Sequence, residues 1–177
     1  MSPAAFLELF GDQRASAILR TSDCEAARGA MDAAVRGGFR VLEFTLSVPG
    51  ALELISEFSQ RPGLAVGAGT VLTCEEANRC VEAGAQFIVS PVVDEEVIAE
   101  AARLGVAAMP GCATPTEMLR AHRAGAQLQK LVPVAGPGAA WVLQTRGPMP
   151  FLNIVPTSGV TPGNMTDYLD AGAFALG

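Results

Sequence analysis

Apolar residues along this chain come in short runs, most of them preceded by glycine and alternating with stretches of helical period. The segments "RGGFRVLEFTL", "AGAQFIVSP", "LGVAAMPG", "AGAQLQKLVP" and "AGAFALG" all place glycine where a helix ends and a strand begins. Strands are predicted near 15–20, 40–46, 64–69, 86–90, 106–109, 127–132, 151–156 and 173–177. Helix starts are marked as well. Thr73 with Glu76 and Thr114 with Glu117 have capping-box spacing, the second with Pro115 at the first helical position. Asp94 and Thr161 read as further N-caps.

One strand plus one covering helix recurs about every 20–25 residues. Eight such units predict an α/β chain forming a single (β/α)8 TIM barrel domain over residues 1–177, with a short N-terminal helix. A doubly wound open sheet is the competing architecture. Against it, no GxGxxG turn follows the first strand and no break in rhythm marks a switch point. The eighth helix is absent after 173–177. Either the sequence is a piece of a longer chain, or "SPAAFLELFG" and a partner subunit cover the outer side of the first and eighth strands.

Composition narrows the function classes. Half of the 177 residues are hydrophobic, yet no apolar run approaches the ~20 residues a membrane helix needs, so no membrane association is expected. "MSPAAFLELFGDQ" lacks the basic start and apolar centre of a signal peptide, which predicts a cytoplasmic address. The net charge of -6 and singly scattered arginines argue against nucleic acid as a partner. Cys24, Cys74, Cys80 and Cys112 form no CxxC pair and read as free thiols. The lone histidine, His122, lies beside Arg120 and Arg123 in a helical stretch and reads as solvated. A single histidine removes most metal and charge-relay chemistry, since a zinc site would need unsuitably spaced thiols and a triad has one candidate only, and no metal or cofactor is expected.

The remaining polar residues cluster at the carboxyl ends of strands, where barrels of this kind carry their reactive groups. Arg20 ends the first strand, Glu43 lies late in the second, Thr70 follows the third, Lys130 lies late in the sixth and Thr157 follows the seventh. Lys130 is the only lysine among 12 lysines and arginines. In "RVLEFTL", Val41, Glu43 and Thr45 share one strand face; Leu42, Phe44 and Leu46, wholly apolar, share the face laid against helices. Glu43 is therefore expected inside. Lys130 is assigned inward with Leu128 and Val132, which turns Gln129 toward the helix layer and requires a hydrogen-bond partner for it there.

Glu43 and Lys130 admit two readings: a buried ion pair that fills the barrel mouth, or a reactive pair. Desolvation favours the neutral form of a buried amine, which can attack a ketone and form a Schiff base. The protonated imine then accepts the electrons of a breaking carbon–carbon bond, which is aldol chemistry. A nearby carboxylate moves the protons, and an arginine, hydroxyl or backbone N–H holds a keto acid's carboxylate.

From "SAILRT" to its last residue the sequence resembles the 2-keto-3-deoxy-6-phosphogluconate (KDPG) aldolases, class I enzymes with a (β/α)8 barrel and usually trimeric. The resemblance rests on "AILR", "GGFRVLEFTLSVPGA", "VGAGTVLT", "AGAQFIVSP", "MPGCATPTE", "QKLVP" and "VPTSGVTPGN" together. It implies Lys130 as the Schiff-base lysine, Glu43 as the general acid/base and Arg20 as the substrate-carboxylate ligand, with Thr70 beside it. It further implies that Pro91, Pro110 and Thr157 line the pyruvyl pocket, and that pyruvate and a 2-keto-3-deoxy sugar acid phosphate are the small-molecule partners.

The sequence departs from the family at several points. Ser47 stands where some relatives carry an arginine, so carboxylate binding is expected to rest on Arg20 with Ser47 beside it. Ser158 replaces the first glycine of the usual Pro-Thr-Gly-Gly, and Ser158 and Gly159 are the expected phosphate ligands. The family's Gly-Ser segment after the eighth strand lies beyond Gly177. The usual lysine-phenylalanine-proline becomes Lys130-Leu131-Val132-Pro133, which removes a ring from the pocket wall. "PGCAT" and Ser47 also resemble the related enzyme for the galactonate epimer. The leading expectation is KDPG cleavage. The galactonate epimer, 4-hydroxy-2-oxoglutarate, and a non-catalytic sugar-phosphate-binding barrel are the alternatives.

Overall fold

A computed structural model describes residues 1–134 and 138–177. Seven strands lie in one all-parallel sheet in chain order: β1 (Ser16–Leu19), β2 (Val41–Thr45), β3 (Ala65–Gly69), β4 (Phe87–Ser90), β5 (Ala107–Cys112), β6 (Gln129–Leu131) and β7 (Ile154–Pro156). Helices α2 (Cys24–Arg36), α3 (Ala51–Ser59), α4 (Cys74–Glu82), α5 (Glu95–Arg103), α6 (Pro115–Arg123), α7 (Ala139–Arg146) and α8 (Met165–Asp170) each follow one strand. This is the alternation that the hydrophobic pattern predicts.

The predicted eighth strand is reduced to a single parallel bridge between Ala15 and Leu176. It nevertheless closes the sheet. Phe174 and Gly177 donate backbone N–H to the carbonyls of Ile154 (2.8 Å) and Pro156 (3.0 Å) on the β7 side. On the β1 side, Ser16 N–H donates to the Leu176 carbonyl (2.8 Å) and Leu176 N–H to the Arg14 carbonyl (2.9 Å). The fold is a (β/α) barrel, and the open-sheet competitor is discarded.

Helix caps follow local chemistry. Thr114 and Glu117 form a complete capping box, whereas Thr73 accepts from Glu76 N–H but the Glu76 carboxylate turns to Leu72 N–H. Asp94 caps α5. Thr161 does not cap a helix: Asn164 occupies the position before α8, and its side chain accepts from Thr161 N–H to close the preceding turn.

Two apolar layers result from strand alternation. Leu42, Phe44, Val66, Ala68, Ile88 and Ala108 pack outward against the helices, while Val41, Ala65, Phe87, Val89, Ala107 and Met109 fill the barrel. The N-terminal helix α1 (Pro3–Gln13) joins the inner layer through Phe6 and Phe10, both fully buried. Phe6 stacks on Phe87 with ring centroids 4.4 Å apart. The expectation for "SPAAFLELFG" is corrected accordingly: α1 closes the amino-terminal end of the barrel instead of covering the outside of its first and last strands. A wide barrel end would otherwise expose those inner rings to water, and each buried aromatic ring contributes about 1.5–3 kcal/mol.

Candidate active site

At the opposite end, the carboxyl ends of the strands gather the chain's convergent polar groups. Lys130 sits on β6, in register with Gly111 of β5 and Val155 of β7. Its Nζ lies 3.2 Å from Glu43 Oε1 and 3.1 Å from Oε2, across the barrel on β2. Glu43 is 2% exposed and Lys130 8%. Strand parity thus places both side chains inward, as expected. Gln129 faces the other way and both of its polar side-chain atoms find partners: its amide nitrogen donates to the Ala126 carbonyl (3.1 Å) and its oxygen accepts from Asn153 N–H (3.0 Å).

Glycine makes room for the pair. A Cβ on Gly69 would stand 2.2 Å from Glu43 Oε1, so no larger residue at that position is compatible with this carboxylate placement. Gly111 plays a similar part for the wall, since a Cβ there would stand 2.3 Å from the Pro91 carbonyl oxygen.

Arg20 reaches over the mouth from the end of β1. Its Nη1 donates to Ser47 Oγ and its Nη2 to Thr70 Oγ1, each at 3.0 Å. No carboxylate pairs with it among the described residues. Thr70 holds its place at a φ of 64°, in the left-handed region that a β-branched residue rarely adopts. Backbone of this kind costs about 1–3 kcal/mol and concentrates where ligands are gripped.

A cavity of about 90 Å³ joins these groups; Arg20, Glu43, Thr70 and Lys130 are its polar lining, and Val89, Ser90, Pro91 and Val132 complete the wall. It is far smaller than the ~300–1,000 Å³ of a drug-sized pocket. Only the small, reacting end of a substrate fits inside. Val89 and Ser90 escaped the sequence reading, although their position just before Pro91 at the end of β4 is the signal that locates them.

Five expected residues stand elsewhere. Ser47 does not line this cavity but accepts from Arg20. Pro110 alternates with the inward Met109 and Gly111 and so belongs to the outer face. Thr157 lies beside the closing segment, where a Cβ on Gly177 would meet its Oγ1 at 2.7 Å, and its hydroxyl turns to the Val155 carbonyl. Ser158 and Gly159 form an exposed turn outside the cavity, both at a φ of 70°. Among the described residues, no group of three or more His, Cys, Asp or Glu is placed to hold a metal ion. No described helix is long and apolar enough to cross a membrane. His122 is exposed on α6, against the ring of Phe151 at 4.8 Å. The four cysteines are unpaired.

The sequence matches the model of the KDPG and KHG aldolases over residues 9–177. The chain belongs to the KDPG and KHG aldolase family. It is 37% identical over 166 residues to a probable 2-dehydro-3-deoxy-6-phosphogalactonate aldolase of Rhizobium meliloti, covering 91% of this chain and 78% of that one. It is also 37% identical over 140 residues to the 2-dehydro-3-deoxy-phosphogluconate aldolase of Pseudomonas aeruginosa, covering 78% of this chain and 64% of that one. Among solved structures, the KDPG aldolase of Legionella pneumophila, with pyruvate captured as a covalent carbinolamine, superposes with a TM-score of 0.86. That match is at 26% identity and covers 97% of this chain and 84% of the other. As a KDPG and KHG aldolase family member the chain is an aldolase, a carbon–carbon lyase, on the barrel described above.

Proposed function

We propose that this aldolase cleaves a phosphorylated 2-keto-3-deoxy sugar acid, with KDPG the leading substrate, to pyruvate and glyceraldehyde 3-phosphate. The observation that carries the reading is one buried amine held against both oxygens of one buried carboxylate, beside an arginine that pairs with no carboxylate among the described residues. The Lys130 amine attacks the C2 carbonyl; the carbinolamine loses water to give a protonated imine. Glu43 takes the proton of the C4 hydroxyl, the C3–C4 bond breaks, and its electrons move into the imine as an enamine. The aldehyde departs. Glu43 returns the proton to C3, and water hydrolyses the pyruvyl imine to free Lys130.

Arg20 and Thr70 hold the carboxylate next to C2, which fixes the carbonyl over the amine. The smallness of the cavity supports this division: the keto-acid end enters, and the aldehyde end stays at the mouth. Ser158 and Gly159 are the proposed phosphate ligands, because the Ser158 hydroxyl and the backbone of this exposed turn are accessible to an anion at the end of β7. The chemistry as written uses no cofactor. A cytoplasmic address and a homotrimer belong to the same reading, and light scattering on the purified chain tests the assembly.

Relatives named for both sugar epimers match at the same identity, which favours the galactonate epimer as a second substrate reading. Val132 at the wall and Ser47 at the mouth are the positions where that choice is expected to reside. Steady-state cleavage of the two epimers side by side separates them. For the mechanism, borohydride reduction in the presence of pyruvate should add the mass of a reduced pyruvyl group at Lys130. An unmodified Lys130, or Lys130→Met retaining cleavage, overturns the imine route.

A further inference from the structure

Ser47, assigned to the substrate from sequence, is engaged elsewhere, and the direction of its hydrogen bonds shows where. Thr45 Oγ1 lies 3.0 Å from the Leu19 carbonyl oxygen. A carbonyl only accepts, so the single hydroxyl proton of Thr45 is committed to it. Thr45 Oγ1 is also 2.9 Å from Ser47 Oγ. Ser47 must therefore be the donor in that bond, and its remaining lone pair accepts from Arg20 Nη1 at 3.0 Å. On its other side the guanidinium donates to Thr70 Oγ1, whose own proton is left free. Every proton between the Leu19 carbonyl and the Thr70 oxygen is thus assigned, and only that of the Thr70 hydroxyl is uncommitted.

We infer that Thr45 is a positioning residue for Arg20, acting through Ser47, and that the substrate carboxylate is held by Arg20 and Thr70 without a hydrogen bond from Ser47. Thr45 is 1% exposed and follows Glu43 by two residues on the same strand face. One short strand therefore sets both the acid over the amine and, through two hydroxyls, the cation over the mouth. Removing the Ser47 hydroxyl leaves the guanidinium with one anchor in place of two, and removing that of Thr45 leaves the Ser47 anchor with nothing to fix its orientation. The inference rests on the imine reading, since pyruvate binding is its measure.

The test uses the full chain and measures the pyruvate concentration that gives half-maximal borohydride trapping at Lys130, together with kcat and KM for cleavage. Loss of one anchoring hydrogen bond, about 1 kcal/mol, corresponds to a rise of roughly fivefold to tenfold in half-saturation for Thr45→Val and for Ser47→Ala. The rise in half-saturation exceeds any fall in kcat, and Thr45→Ser restores binding. Because both hydroxyls act through one chain, the double variant Thr45→Val with Ser47→Ala is no weaker than about twofold beyond either single. Additive losses, or a Ser47→Ala defect far larger than that of Thr45→Val, mean that Ser47 contacts the carboxylate itself and overturn the inference. Thr45→Val binding pyruvate as the parent does overturns it too. Ser47 is exposed, so its variant is readable even where Thr45→Val folds poorly. Parent chain that is never trapped overturns the imine reading, and this inference with it.

Discussion

Lys130 and Glu43 were legible as single residues because strand parity has only two answers, and one of them would leave a charge among apolar side chains facing the helices. Their partner Gly69 was not. A glycine within "VGAGT" carries no side chain to assign, and its meaning depends on which atoms of a neighbouring strand occupy the space it leaves. The structure supplies that: Gly69 has no left-handed φ, so it is required for clearance and not for backbone freedom. Gly69→Ala is expected to displace the Glu43 carboxylate from the amine while leaving Lys130 in place. General acid–base catalysis contributes about 10²–10⁴-fold, and cleavage should fall by roughly a hundredfold or more. Borohydride trapping of pyruvate should persist, and exchange of the pyruvate methyl protons with deuterium, followed by NMR, should slow with cleavage. Unchanged exchange would show that Glu43 tolerates the methyl or moves no proton.

Elements were readable where side chains declare their own partners. Thr114, Asp94 and the Gln129 requirement all held, since each states a bond that must be made somewhere. Thr161 failed because a hydroxyl followed by proline fits a turn as well as an N-cap, and the deciding acceptor, the Asn164 side chain, lies three residues on. Burial of small side chains was equally hard to foresee. Cys80 on α4 and Cys112 on β5 are sealed in the outer layer, where desolvation pushes both thiols up to about 12 from an ordinary 9.0. The fold therefore favours their protonated forms. The associated stability is intact below pH 9.0 and is lost progressively as pH rises from 9.0 toward about 12. Iodoacetamide at pH 8 should leave both thiols unlabelled in native protein and label them after denaturation, as read by peptide mass spectrometry. The Cys80→Ala, Cys112→Ala double variant should show a shallower decline of Tm across the alkaline range.

At the scale of the molecule, the barrel divides its work between two ends, and the division follows from parallel strands. Every strand starts at the floor, where Phe87 opens β4 against Phe6, and ends at the mouth, where Ser90 and Pro91 line the cavity. The repeat was plain in the sequence because successive strand and helix units of similar length reinforce one another. The floor was hidden, since the amphipathic pattern of α1 states only that one face is buried, not which layer buries it. Gly67 records the outcome: a Cβ there would stand 2.4 Å from the Phe87 ring, so β3 yields the space that the stacked rings fill. Truncating Phe6 to alanine empties a sealed volume with no route for collapse, at about 3–5 kcal/mol. For a chain of this length that is a Tm lower by roughly 6–20 °C. Phe6→Ala and Phe87→Ala should be strongly non-additive, because each removes the same stack. Pyruvate trapping at Lys130, measured well below the lowered Tm, should keep its parent half-saturation, because the lost contacts lie at the end of the barrel away from Arg20 and Thr70. A Phe6→Ala chain that melts normally but binds pyruvate poorly would show the opposite arrangement, with α1 setting the mouth and the floor indifferent to stability.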